Sequence, residues 1–168
     1  PVVSGTTGWL DKYYDVRRKC LETETAFFYA SNFSIGVNLF FQVNKHLAKI
    51  MDKYSNYDVR IEETHHKHKL DAPSGTAVTL AESIIQEMHR KQNWTKDQAS
   101  NSSDIPVHSI REDEVPGIHK VQYQSEFDEI EIKHSAKSRE GFALGAVMAA
   151  EFIAGKKGIY SMEDLLNA

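Results

Sequence analysis

Residues 64–77 read THHKHKLDAPSGTA: three histidines and two lysines fill positions 65–69, and a turn and the start of a helix follow at once. The chain as a whole carries a net charge of −4, so this positive potential is local and needs its own explanation. Three readings are open. The first is a solvated turn at a strand end. The second is a metal site built from His65, His66 and His68, against which Lys67 and Lys69 would press two cations; the nearest acids in sequence are Glu62, Glu63 and Asp71. The third is an anion site. Pro73 fixes φ, Gly75 permits close approach, and Ser74 is placed to cap a helix beginning near Thr76. The unbonded N–H groups of that first turn, with the positive end of the helix dipole, favour an anion. Lys69 and the histidines extend this to a ligand with more than one carboxylate, and a histidine titrating near neutrality can serve as general acid.

Working outward, YDVRIEE alternates Val59 and Ile61 with charged residues and predicts a half-buried strand that ends just before the histidines. Downstream, Ala77, Leu80, Ala81, Ile84 and Met88 mark an amphipathic helix, and KQNWTKDQASNSSD reads as an exposed loop. Upstream, a polar helix is expected over Leu10 to Leu21 and a buried strand over Ala26 to Ala30. A long helix then runs from a cap at Asn32 or Ser34 through Tyr54, with Phe40, Val43, Leu47, Ile50 and Tyr54 as its buried face. IPVHSIR, IHKVQYQ and DEIEIKH predict three further strands; Val121, Tyr123, Ile130 and Ile132 line a face for helices or another subunit. GFALGAVMAAEFIAG predicts a helix, and SMEDLL a short one with a capping box from Ser161 to Asp164. The fold class is therefore α/β (or α+β), a mixed sheet with helices packed on it.

With 168 residues, 40% of them hydrophobic, the chain can hold one domain, or one domain with a remnant of another. The slightly acidic balance gives no general nucleic-acid or anionic-membrane surface, and no run of 18 apolar residues occurs. Cys20 is the single cysteine, which removes internal disulfides and CxxC metal or redox sites and fits a reducing, cytoplasmic setting. PVVSGTTG reads as a strand cut off at its beginning, so a fragment is expected.

HHKHKLDAPSGTA resembles the active-site signature of the dihydrodipicolinate reductase family, which serves diaminopimelate and lysine biosynthesis. SGTTG and ASNFSIGVN are similar to the family's two nicotinamide-side segments, and EIEIKHSAKSREGFALGAVMAAEFIAGKKGIYSMEDLL to its C-terminal stretch. The resemblance implies a proton donor at His65 with Lys69 as its partner. It places His66, Ser74, Gly75 and Thr76 on the substrate, and Gly5, Thr6, Thr7, Ala30, Ser31, Asn32 and Phe33 along the nicotinamide. No metal is implied. The implied reaction is hydride transfer from NADH or NADPH to C4 of a cyclic dicarboxylate, in a homotetramer assembled through the sheets of this domain.

Two departures matter. The nine glycines contain no G-x-G-x-x-G spacing, so the dinucleotide-binding half of the family is expected to be missing and cofactor binding by this chain alone to be poor. Ile118 stands where the family shows an acidic residue in a Gly-Glu-His run, while His119 is kept. The expected organisation is a nucleotide-domain remnant over 1–25, a substrate-binding and oligomerisation domain over 26–150, and a tail over 151–168. The alternative to a reductase is a non-catalytic module that binds a dicarboxylate and assembles.

Overall fold

A computed structural model describes all 168 residues, which divide into two compact units, Pro1–Leu39 with Arg139–Ala168, and Phe40–Ser138. These boundaries lie at different places from those expected, because the strand at 26–29 pairs outside the main sheet.

In the first unit, β1 (Val2–Ser4), β2 (Ala26–Tyr29) and β8 (Gly158–Tyr160) form a parallel three-stranded sheet in the order β1-β2-β8. The helix expected over 10–21 is a 3₁₀ turn followed by α1 (Tyr13–Glu22). Small residues let α4 (Glu140–Phe152) approach closely: a Cβ on Gly145 would sit 1.8 Å from the Phe33 carbonyl oxygen. Phe28, Phe33, Ala149 and Ile153 are buried there. At the chain end, α5 (Met162–Leu166) carries the expected capping box between Ser161 and Asp164.

The second unit is a five-stranded mixed sheet, order β4-β5-β3-β6-β7. It comprises β3 (Asp58–His65), β4 (Asn93–Lys96), β5 (Asp104–Arg111), β6 (Ile118–Gln124) and β7 (Glu129–Ser135). The strands β4, β5 and β3 run parallel, and β6 and β7 are antiparallel to their neighbours. Two helices cover one face: the Phe40–Met51 portion of α2 (Ile35–Met51), and α3 (Gly75–Glu87). Ala77, Leu80, Ala81 and Ile84 of α3 meet Val59, Ile61, Val107, Val121 and Tyr123 in one core. Each large aliphatic side chain buried this way stabilises by roughly 1.5–3 kcal/mol relative to exposure. Val121 and Tyr123 thus pack on helices, the first of the two roles the pattern allowed.

Four local expectations are corrected. Residues 93–96 form an edge strand, not loop, because their backbone pairs with β5. A short strand, β8, lies in the tail. The buried face of α2 is rotated from the expected one. It presents Phe40, Asn44, Ala48 and Met51, with the buried Asn44 amide donating to the Leu80 carbonyl and the Ser83 hydroxyl, while Val43, Ile50 and Tyr54 are exposed. Finally, β3 does not stop at Glu63 but runs on through Thr64 and His65, so the first histidine belongs to the central strand.

Candidate active site

The alternation of β3 puts Val59, Ile61, Glu63 and His65 on the helix-covered face, and register sets their neighbours. Glu63 lies opposite Ser109 of β5 and His119 of β6, and His65 lies opposite Arg111. A carboxylate, two imidazoles and a guanidinium therefore converge where the apolar core gives out.

Glu63 is wholly buried and organises this cluster. Its Oε1 accepts from Arg111 Nη2 at 3.1 Å and from the Ser74 backbone N–H at 3.2 Å. Its Oε2 is paired with His65 Nδ1. Burial alone would raise the Glu63 carboxyl; the bonds from His65, Ser109 and Ser74 outweigh it and hold the group ionised, well below the usual carboxylate range. Arg111 also donates to the Asp71 carbonyl at 2.7 Å, which fastens the 66–73 loop to the sheet. Within that loop Lys69 pairs with Asp71 at 2.8 Å, and Lys69 holds the Asp71 carboxyl below its ordinary value.

Ser74 caps α3 as its turn chemistry predicts: its Oγ accepts from the Ala77 N–H at 3.3 Å. The same oxygen lies 3.1 Å from His119 Nε2. His119 is 4% exposed and meets the His65 ring edge-on, with centroids 5.0 Å apart. Burial, then the neighbouring His65 and the more distant His134 and Lys69, push His119 down to about 3, against a smaller opposing pull from Glu63, so it is a neutral imidazole near pH 7. Gly117, at φ +155°, passes so close that a Cβ there would lie 3.1 Å from His65 Nε2.

Of the residues singled out in the sequence, His65 and Ser74 join this cluster, and Lys69 joins through Asp71 and Arg111. His66 is half-buried, with its ring 6.3 Å from that of exposed His68, whose own partner is Glu114. Gly75 opens onto free space, with nothing within 4 Å of a Cβ position. The residues expected along the nicotinamide lie in the first unit. Gly5, Thr6 and Thr7 follow β1, and Ala30, Ser31, Asn32 and Phe33 follow β2, so both loops leave the carboxyl ends of adjacent parallel strands. Phe33 stacks on Phe28 in the core, and Asn32 Oδ1 accepts from the Ser34 N–H.

Sequence reading offers Glu63 only as one of the acids nearest a possible metal site, and leaves Arg111 without a role and His119 undecided. Glu63, His65 and His119 could offer three donors to a metal ion within 4.8 Å of one another, a different set from His65, His66 and His68. Arg111 already supplies the positive charge this carboxylate faces, which argues against a dication there.

Mixed-sheet architecture, a carboxylate–histidine pair and a capped helix N-terminus on one sheet face define an α/β protein with a buried polar cluster beside a helix start. A profile of the dihydrodipicolinate reductase C-terminus matches residues 36–166. The chain is 54% identical over 167 residues to a 4-hydroxy-tetrahydrodipicolinate reductase of Christiangramia forsetii, covering 99% of this chain and 70% of that protein. It is 38% identical over 175 residues to the reductase of the same name from Clostridium novyi, covering 100% of this chain and 68% of that one. Among solved structures, a dipicolinate-bound dihydrodipicolinate reductase from Paenisporosarcina sp. TG-14 superposes with a TM-score of 0.71 at 27% identity, over 95% of this chain and 62% of that one. The chain belongs to the dihydrodipicolinate reductase family. No helix is long and apolar enough to cross a membrane.

Proposed function

We propose that this chain carries the substrate-binding and proton-donating centre of an NAD(P)H-dependent 4-hydroxy-tetrahydrodipicolinate reductase in diaminopimelate and lysine biosynthesis. The observation that carries this reading is the Glu63–His65 pair set beside the open N-terminus of α3. Ser74 spends its N–H on Glu63 and its oxygen on Ala77, which leaves the Gly75 and Thr76 N–H groups for a substrate carboxylate. The free space at Gly75 suits close approach of that anion. Lys69 and His66, from the loop tied down by Arg111, answer the second carboxylate, in line with the dipicolinate bound by the Paenisporosarcina relative.

The overall change is substrate plus NAD(P)H plus a proton, giving tetrahydrodipicolinate, NAD(P)⁺ and water. The nicotinamide, when bound, supplies the hydride to C4. The loops after β1 and β2 suit the nicotinamide end of that cofactor, chiefly through backbone groups, since Phe33 is committed to the core. His65 contributes the proton: it releases the Nε2 proton to the substrate ring and keeps its other proton on Nδ1, against the ionised Glu63. Such a donor is worth roughly 10²–10⁴-fold in rate. Residues 1–39 and 139–168 serve the nucleotide side and 40–138 the substrate and assembly side of a cytoplasmic homotetramer.

Isothermal titration with dipicolinate tests the substrate site. Wild type is expected to bind, and Lys69→Met to lose about tenfold or more in affinity. Equal affinity in the two proteins would refute the site.

A further inference from the structure

We infer that Glu63, clamped by Arg111, is the positioning residue that fixes the proton on His65 Nδ1 and so leaves Nε2 as the nitrogen that serves the substrate. This rests on the proposed role of His65 as proton donor.

Besides the Ser109 hydroxyl across the strand, three donors converge on the carboxylate. Arg111 Nη2 and the Ser74 N–H both take Oε1, at 3.1 and 3.2 Å, and only Oε2 is left for the imidazole. An ionised carboxylate only accepts hydrogen bonds, so a proton on His65 Nδ1 is what lets Oε2 sit against it, in the neutral and the charged ring alike. A Cβ at position 117 would lie 3.1 Å from Nε2, so the glycine leaves that edge clear, and the His119 ring stands edge-on at 5.0 Å. Arg111 in turn is anchored to the Ile110 and Asp71 carbonyls at 2.8 and 2.7 Å, so the clamp also fixes the strap bearing Lys69. The charged or titratable groups facing His65 are thus Glu63 on its own strand, Arg111 on β5, His119 on β6 and Lys69 on the loop. In one turnover the Nε2–H bond breaks, its proton passes to the substrate, and the neutral Nδ1–H ring is reprotonated at Nε2 from solvent. Glu63 stays ionised throughout.

This arrangement makes Glu63→Gln informative. Its single amide oxygen is claimed by Arg111 and the Ser74 N–H, which turns the NH₂ group towards His65 Nδ1. A donor there forces Nδ1 to accept, and the neutral ring must carry its proton on Nε2 instead. Long-range ¹H–¹⁵N spectra of the imidazoles read the tautomer directly, and steady-state kinetics on the gene product carrying this chain read the consequence. Expected in E63Q are an inverted His65 tautomer, turnover lowered about 10²- to 10⁴-fold, dipicolinate affinity not weakened, and the descending limb of the pH–rate profile moved to lower pH. Arg111→Met, which keeps the carboxylate and removes a cation, is expected to leave the tautomer alone and move that limb to higher pH; Arg111→Lys should restore it. Unchanged tautomer and turnover in a folded E63Q, or limbs moving together in E63Q and R111M, overturn the inference; should E63Q not fold, an R111M limb that stays in place or an inverted R111M tautomer overturns it. His65→Gln separates the two claims: full turnover in H65Q would remove the proton donor itself, whatever Glu63 does.

Discussion

Replacing His119 by glutamine should change how stability depends on pH, because His119 is neutral in the folded protein down to about pH 3. In the unfolded chain an ordinary histidine titrates near 6.5. Between those values the unfolded state binds the proton and the folded state does not, so acid favours unfolding. The sign is fixed: this group's contribution is full above about pH 6.5 and is lost progressively as pH falls towards 3. From pH 7 to pH 5 the loss comes to about 2 kcal/mol with these two values. Glu63 does not confuse the window, since a carboxyl held below its ordinary value loses its contribution only beneath about pH 4.3. Urea unfolding of wild type and His119→Gln, at pH 7 and at pH 5, isolates the effect. The stability difference between the two proteins should shift by about 2 kcal/mol in favour of the variant at the lower pH. Parallel curves would refute the assignment of His119 as a buried neutral ring.

Further substitutions probe the close approaches. Gly117→Ala forces a side chain into positive φ and against His65; a loss of about 1–2 kcal/mol in urea unfolding and a fall in turnover are expected. Gly75→Ala meets no protein atom, so stability should hold or rise by a few tenths to about 1 kcal/mol while dipicolinate affinity falls at least tenfold by calorimetry. Gly145→Ala collides with the Phe33 carbonyl, and its melting temperature should drop steeply, whereas Gly141→Ala on the same helix has open space and should be neutral or stabilising. Ser74→Ala removes both the α3 cap and the oxygen beside His119; about 1 kcal/mol of stability and part of the dicarboxylate affinity should go with it.

What could be read from the sequence was local. The core positions of α3 recur at helical steps, Pro73-Ser74-Gly75 spells turn and cap, and β5 to β7 show strand alternation; the structure agrees with all three. The α2 face was misplaced because apolar residues surround that helix and the buried set includes the polar Asn44 and small Ala48. The strand β4 was missed because NWTK is short and polar and is held by its backbone. The same limit hid half of the site. Arg111 and His119 reach Glu63 and His65 across strands, through registers that no spacing along the chain reveals. Glu63 was within reach, two residues before His65 and so on the same strand face, had β3 been extended through the histidine.

The central claim is that His65 delivers a proton to a cyclic dicarboxylate while NAD(P)H delivers a hydride. It is met most directly by following NAD(P)H oxidation with 4-hydroxy-tetrahydrodipicolinate in the gene product carrying this chain, wild type against His65→Gln, with dipicolinate affinity measured on the same samples. The account predicts substrate-dependent oxidation in wild type and a loss of at least about a hundredfold in H65Q, with dipicolinate still bound. Equal turnover in both proteins would contradict it.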